Sequence, residues 1–487
     1  MHNKTHLSRR SFVKTMGLGL ASIATVQYMN CSQNLKENNL PNFIIIFCDD
    51  LGYGDIGCFG STLHRTPNLD RMAAEGKKFT SFYVSSGVCT PSRSSLMTGC
   101  YPRRVNMHMN ATPVGKNKMR QVLFPVAKKG LNPNEITIAE LLKQKDYATA
   151  CIGKWHLGDQ LEFLPTRQGF DYYYGIPYSN DMGANQFPVN PPLPLLRNEK
   201  VIEAPVDQNT ITRRYTEQAV TFIQTNKDRP FFLYLPHAMP HNPVHASELF
   251  RGKSANNGYG DAVEEIDWSM GESLKTLREL NIDNNTLVIF TSDNGAAQRW
   301  GGSNIPLKGW KGSTLEGGMR VPCVMRWPGK IPAGGTCNEL TTTMDLLPTL
   351  TRLAGTSEPR DRIIDGKNIW PLMAGVKGAT SPHEVFYYYK KAQLQAVRSG
   401  QWKLYLPLDN WQLYIYKEGT QKSNAELYDL ENDISEKNNV ADEHQDIVKK
   451  LLQYAEQARK DLGDVDREGL NQRPAGLVVT PRPLVMV

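Results

Sequence analysis

The chain has 487 residues, of which 40% are hydrophobic and 22% charged, as in a globular protein large enough for one big domain and a smaller companion. Its formal net charge is +7, and about +3 remains once Lys4, Arg9, Arg10 and Lys14 of an expected leader are set aside. No long basic run is interleaved with aromatics, which excludes nucleic acid as the expected partner, and eight cysteines without a C-x-x-C pair suit neither a zinc ribbon nor a disulfide scaffold.

The first element is a targeting segment. Ser8-Arg9-Arg10-Ser11-Phe12-Val13-Lys14, followed by the apolar residues 16–26, predicts a twin-arginine export signal over residues 1–31. The apolar stretch is shorter than the roughly twenty residues that a transmembrane helix requires. Cys31 is a candidate lipid-attachment residue, although Asn30 stands where a small residue is usual. The expected location is the periplasm, or the outer membrane and cell surface if the chain is anchored, with the export machinery as a partner.

Four continuous apolar runs then end in polar clusters. Residues 42–47 lead into Asp49-Asp50, 148–152 into Gly153-Lys154-Trp155-His156, 230–235 into His237 and His241, and 286–291 into Ser292-Asp293-Asn294-Gly295. Between them, residues 66–76 predict a helix with Pro67 near its start and Gly76 after its end. Residues 138–144 and 263–280 predict two more, and Asp146 tolerates the left-handed turn before the next strand. The proline-rich residues 188–194 read as a rigid surface insertion. Apolar runs of this kind predict strands covered on both faces, hence an α/β fold with a large, mostly parallel central sheet sandwiched by helices. Ligands of such sheets gather beyond the carboxyl ends of the strands, where these four deliver acidic and basic residues. The expected catalytic domain covers 41–378. After a break at 376–382, strands at 385–389, 395–406 and 426–430 and a helix at 442–462 predict a C-terminal α+β subdomain over 383–487.

The run Cys89-Thr90-Pro91-Ser92-Arg93-Ser94-Ser95-Leu96-Met97-Thr98-Gly99 carries the chemistry. It resembles the modification signature C-x-P-S-R-x-x-L-x-T-G of the type I, formylglycine-dependent sulfatases of the alkaline phosphatase superfamily. A lone cysteine at a helix start is usually a core residue, but here the length of the match and its companions outweigh that reading. The resemblance covers residues 41–464 and is closest to the arylsulfatase A-like branch, through residues 175–181 and Leu195-Leu196-Arg197-Asn198. It implies an alkaline phosphatase-like sheet closed by a small antiparallel sheet plus helix. It also implies that a maturation enzyme converts Cys89 to 3-oxoalanine (formylglycine). One hydroxyl of the hydrated aldehyde attacks sulfur and displaces the alcohol; the other loses its proton and expels sulfate from the covalent sulfoenzyme as the carbonyl re-forms. One hard step becomes two easier ones.

The same resemblance implies the site. Asp49, Asp50, Asp293 and Asn294, with the oxidised Cys89, are the expected metal ligands, and four oxygen side chains favour Ca2+ ahead of Mg2+. Taken singly, Asp49-Asp50 reads as a helix cap and Asp293-Asn294-Gly295 as a turn. Arg93 is expected to steady the alkoxide, Lys154 and Lys311 to clamp sulfate oxygens, and His156 to act as the base that releases sulfate. His241, followed by Asn242-Pro243, aligns with the histidine that protonates the leaving alcohol. His237 is its rival or a substrate residue, and Lys308 is the alternative to Lys311. Together Lys154, Lys311, Arg93 and the cation neutralise the transferring group.

The expected activity is sulfate ester hydrolysis on a sulfated carbohydrate, of galactose or N-acetylgalactosamine type. Asp181, Arg299 and Trp300 are candidate sugar contacts, an acid for hydroxyls, a base for further sulfates and an indole for a ring face; ordinary loop residues are the competing reading. Two alternatives stand beside this one. The first is a phosphonate monoester or phosphodiester hydrolase of the same superfamily. The second is a non-catalytic glycan-binding surface protein, which predicts lost catalytic positions, whereas every one of them is present.

Overall fold

Eleven strands form one sheet. In chain order they are β1 (Asn42–Cys48), β2 (Lys77–Tyr83), β3 (Ala148–Ile152), β4 (Tyr172–Gly175), β5 (Leu195–Arg197), β6 (Lys200–Glu203), β7 (Phe231–Pro236), β8 (Thr286–Ser292), β9 (Arg320–Arg326), β10 (Gly335–Cys337) and β11 (Thr341–Thr342). They are arranged β10-β2-β9-β8-β1-β7-β3-β4-β5-β6, and β11 also pairs with β2. The computed structural model describes residues 40–110, 113–114, 118–411 and 421–486, and the chain from Pro41 onward is one compact unit. The expected export signal and Cys31 lie outside the described residues. Among those residues, no helix is long and apolar enough to cross a membrane.

The four apolar runs of the sequence, β8, β1, β7 and β3, are consecutive neighbours and all parallel. Ile45 lies opposite Ile289 on one side and Tyr234 on the other, and Leu233 lies opposite Ala150. Every residue in these strands is buried. Their carboxyl ends therefore open on one edge, which sets the four polar clusters side by side. The sheet becomes antiparallel at β9 and β2 on one flank and at β5 and β6 on the other.

Alternation along β1 sends its side chains to two faces. Ile44 and Ile46 meet the helices α1 (Pro67–Glu75), α4 (Ile211–Thr225) and α5 (Asn257–Glu279) through Met72, Tyr215, Ile266 and Met270. On the other face lie α2 (Cys89–Thr98), α3 (Ile138–Lys143) and α6 (Leu346–Leu353), which touch one another, and Phe47 supports the guanidinium of Arg93. The start of α3 is fixed by a capping box between Thr137 and Glu140. Asp146 adopts the left-handed conformation expected of it, at φ 59°. Helix α5 begins earlier than its apolar pattern predicts. Gly258 and Gly260 weaken its first turn as a sequence signal, while the Asp261 carboxylate accepts the N–H groups of Gly252, Lys253 and Ser254 and anchors it.

The C-terminal sheet is antiparallel and sequential: β12 (Phe386–Lys390), β13 (Gln393–Ser399), β14 (Trp402–Tyr405) and β15 (Glu426–Asp429), with α7 (Gln445–Leu462) against it. The single strand expected over 395–406 is in fact a hairpin, broken at Gly400, whose φ of 56° suits glycine.

Candidate active site

Strand β1 ends at Asp49 and Asp50, and Asp50 turns the chain with φ 65°. Its N–H donates to Asp293 Oδ1 at 3.2 Å, joining the ends of β1 and β8. Gly153, at the end of β3, has φ 138°, and a Cβ there would stand 1.9 Å from the Pro236 carbonyl. Only glycine lets the ends of β3 and β7 converge closely enough for Lys154 to reach Asp49.

Cys89 is the first residue of α2, is 2% exposed, and has its Sγ 3.5 Å from Asp49 Oδ1. One turn later on the same helical face, Arg93 gathers the strand ends. Its Nε and Nη2 donate to Asp293 Oδ2 at 3.1 and 2.8 Å, its Nη1 donates to the Lys154 carbonyl at 3.0 Å, and Nη2 lies 3.6 Å from Asp49. The Lys154 ammonium bonds Asp49 and the Ser179 hydroxyl. Lys311 sits on Asp50, with Nζ 2.7 Å from Oδ1. His241 Nε2 is 3.7 Å from Asp50 Oδ2. His156 takes φ 62°, and its Nε2 is 2.9 Å from the Leu123 carbonyl, which can only accept. That contact makes Nε2 the proton-bearing nitrogen and leaves Nδ1, buried and without a partner, as the basic one.

The electrostatics of these groups diverge. Burial would raise Asp49, but Lys154, His241, Arg93 and Lys311 hold it well below its usual range. Asp293 is pushed up to about 7 by burial and by Asp49 beside it. Burial, with Lys154, keeps His156 neutral, and burial, with Lys311, lowers His241. Burial and Asp49 hold the Cys89 thiol well above its usual value, so the unmodified side chain is no thiolate nucleophile.

The site fits a divalent cation. Oxygens of Asp49 and Asp50, Cys89 Sγ and a nitrogen of His241 lie within 4.8 Å of one another, and Asn294 Oδ1 is buried without a partner. Asp49, Asp50 and Asp293 already face Arg93, Lys154 and Lys311, so the charge of a bound sulfate ester calls for a further counter-charge, which a cation would supply. Hard oxygen donors are the right chemistry for that ion. From the sequence His241 was expected at the leaving alcohol of the same site, not among the groups around the ion.

A cavity of about 700 Å³ opens above the site. Asp181, Arg299 and Trp300 line it together with Asp50, His241 and Lys311, and so do Asn242, Gln298 and Trp310, which sequence reasoning missed. Trp310 directly precedes Lys311, and that adjacency was the available signal. His237 does not line the cavity: it is fully buried, its Nε2 lies 3.3 Å from Ser269 Oγ, and burial takes its pKa down to about 3. Lys308 points away and donates to the Glu436 carbonyl.

Comparison with known proteins shows the family. Residues 41–356 match the sulfatase family model. The chain belongs to that family. Residues 310–461 of this sulfatase also match the model for the C-terminal region of N-sulphoglucosamine sulphohydrolase. It is 38% identical over 435 residues to human steryl-sulfatase, covering 74% of this chain and 73% of that protein. It is 42% identical over 382 residues to N-acetylgalactosamine-6-sulfatase of Mus musculus, covering 75% and 72%. The crystal structure of Ps i-CgsB in complex with k-i-k-neocarrahexaose superposes with a TM-score of 0.72 at 32% identity, covering 86% of this chain and 92% of that one. The fold is the alkaline phosphatase-like one expected, and the protein is a sulfuric ester hydrolase. Membership of the family implies a formylglycine and a divalent metal.

Proposed function

We propose that this sulfatase removes sulfate from sulfated glycans of galactose or N-acetylgalactosamine type, with Cys89 as the modified residue and Ca2+ as the preferred ion. The observation that carries the reading is the convergence of Cys89, Arg93, Lys154, His156, His241 and Lys311 on Asp49, Asp50 and Asp293 at the edge of four parallel strands. Oxidised and hydrated, Cys89 would supply the nucleophile and a route for releasing sulfate, and a cation held by Asp49, Asp50, Asp293 and Asn294 would supply charge neutralisation. Lys154 and Lys311 each have a carboxylate partner that fixes the ammonium in place before substrate arrives, so little reorganisation is required as charge develops. Arg93 locks the ends of α2, β3 and β8 together and holds residue 89 in line. His156, neutral with Nδ1 unprotonated, accepts the proton that must leave for sulfate to be expelled. His241, on the cavity wall, gains proton affinity from an anionic ester beside it and delivers a proton to the departing alcohol.

The cavity supports a carbohydrate substrate. Two indoles, Trp300 and Trp310, offer ring faces, Asp181 offers an acceptor, and Arg299 is an exposed cation suited to a further sulfate or carboxylate. A wholly apolar ligand such as a sterol would leave both charges unused. N-acetylgalactosamine-6-sulfatase and the oligosaccharide-bound Ps i-CgsB support the same class. The leader over residues 1–31 supports export to the periplasm, or to the outer membrane and cell surface if Cys31 is lipidated.

The test begins with protein made alongside a maturation enzyme. The peptide carrying Cys89 is expected about eighteen mass units lighter than its thiol form. Modified enzyme is then assayed on matched aryl sulfate and phosphodiester substrates and on sulfated galactose and N-acetylgalactosamine. Dominant phosphodiesterase activity would establish the phosphodiester alternative, and complete modification without turnover would establish the glycan-binding one.

A further inference from the structure

Lys311 stands on a segment held from two sides. On the catalytic side, its N–H donates to the Ala296 carbonyl at 3.0 Å, and the Gly312 N–H donates to the carbonyl of Gly87, two residues before Cys89, at 2.7 Å. The carbonyls of the same segment face the C-terminal sheet. Gly312 O accepts from Lys390 Nζ at 2.7 Å, and Thr314 O accepts from Lys403 Nζ at 2.9 Å. Lys390 ends β12 and Lys403 lies on β14; they are 3% and 0% exposed, so neither meets a ligand in the cavity.

The two lysines differ in how their charge is matched. Lys403 lies 2.9 Å from both Glu316 and Glu436, and that triad explains its burial. Lys390 has no carboxylate within ion-pair distance among the described residues, and its ammonium ends on the bare carbonyl of Gly312. Burying an amine on a single neutral acceptor, whether it keeps its charge or gives up its proton, costs stability that an apolar side chain of the same length would not. The return must come from what it holds, and what it holds is the peptide joined to Lys311.

We infer that Lys390 is a positioning residue for Lys311, fixing from the C-terminal sheet the peptide that carries this lysine over Asp50. The inference rests on the role given to Lys311 above. Because Lys311 acts on charge that grows in the transition state, its displacement lowers kcat more than it raises KM.

A double-mutant cycle tests this on the modified, cation-loaded enzyme. Lys390→Met is expected to lower kcat about tenfold with KM changed less than twofold and the thermal midpoint not lowered, as for a reacting group misplaced by a fraction of an ångström. Lys390→Arg, which keeps a donor, should recover part of the loss. In a Lys311→Ala background, Lys390→Met should cost less than about twofold, because the group it positions is gone. Wild-type kcat in Lys390→Met, or the same tenfold loss added to that of Lys311→Ala, overturns the proposal. If Lys390→Met fails to fold, Lys390→Gln, uncharged and too short to hold the Gly312 carbonyl as lysine does, takes its place in the cycle, and coupled or additive losses then decide in the same way. Full turnover in Lys311→Ala alone would overturn the role of Lys311, an outcome distinct from the other two.

Discussion

Beyond the carboxyl ends of β1, β3, β7 and β8, Asp49, Asp50 and Asp293 meet Arg93, Lys154 and Lys311. Between β9 and the C-terminal sheet, Glu316 and Glu436 meet Lys403 in a second buried group of charges. In the second group both oxygens of each carboxylate are engaged: Glu316 by Lys403, Tyr388 and Tyr83, Glu436 by Lys403, Tyr405 and the Glu316 N–H. Despite burial, Lys403, Arg320 and Arg398 draw the pKa of Glu316 down to about 2. In the first group Asn294 Oδ1, His156 Nδ1 and His241 Nδ1 are buried and unpartnered, and Asp293 is raised to about 7. Burial of charge is common to both. The two differ in how their carboxylates are completed: those of the second group are fully engaged, whereas around the first Asn294 Oδ1 and two histidine nitrogens stay open beside the carboxylates, where a ligand would complete them.

The largest effect expected from breaking this contrast is at residue 89. Cys89→Ala should reduce turnover of an aryl sulfate at least about ten-thousandfold, as loss of a covalent nucleophile does, while the thermal midpoint moves little. Turnover above a hundredth of wild type would remove Cys89 from the covalent step.

Removing divalent cations comes next and separates the two groups directly. Chelation should abolish activity and lower the melting temperature, because Asp49, Asp50 and Asp293 lose their common counter-charge, and Ca2+ should restore both better than Mg2+. A cation at a thousand times its Kd contributes about 4 kcal/mol. An unchanged melting temperature after exhaustive chelation would show that the three lysine and arginine partners suffice. The counterpart in the structural group is Lys403→Met, which strands two buried glutamates. It should cost about 3–5 kcal/mol, read as a lower urea midpoint, and leave the affinity for the cation unchanged.

The contrast also explains what was legible beforehand. A parallel strand buried on both faces is apolar throughout, so its end is marked where polar residues begin; Asp49-Asp50, Lys154, His156 and Asp293-Asn294 could be found in that way. The Glu316–Lys403–Glu436 group has no such marker, because its members come from three separate stretches that only tertiary folding joins. His237 and His241 both follow β7; the Asn242-Pro243 after His241 favoured it, while the apolar pattern alone offered no choice between them. The chain turns after Met239, leaving His237 behind on Ser269 of α5 and His241 on the cavity wall. Trp310 was hidden in a stretch read for its lysines. The hairpin at Gly400 was missed because apolar residues on both arms read as one strand.

The smallest effect concerns Lys390, whose position between the two groups makes it the finest test of the comparison. Burial, reinforced by Lys391, draws its pKa down to about 7, against about 10.4 for a lysine in the unfolded chain. Below pH 7 both states hold the proton and the cost of the buried charge is fully present. Between pH 7 and about 10.4 the unfolded chain binds more protons than the folded one, so stability rises with pH. Lys390→Met lacks this contribution. The difference in unfolding free energy between wild type and variant should therefore be flat below pH 7 and shift in favour of wild type by up to about 1.4 kcal/mol per pH unit above it. Urea midpoints at pH 6, 7.5 and 9 measure this. A difference that stays flat to pH 9 would mean that Lys390 keeps its proton in the folded chain, and would place it in the structural group.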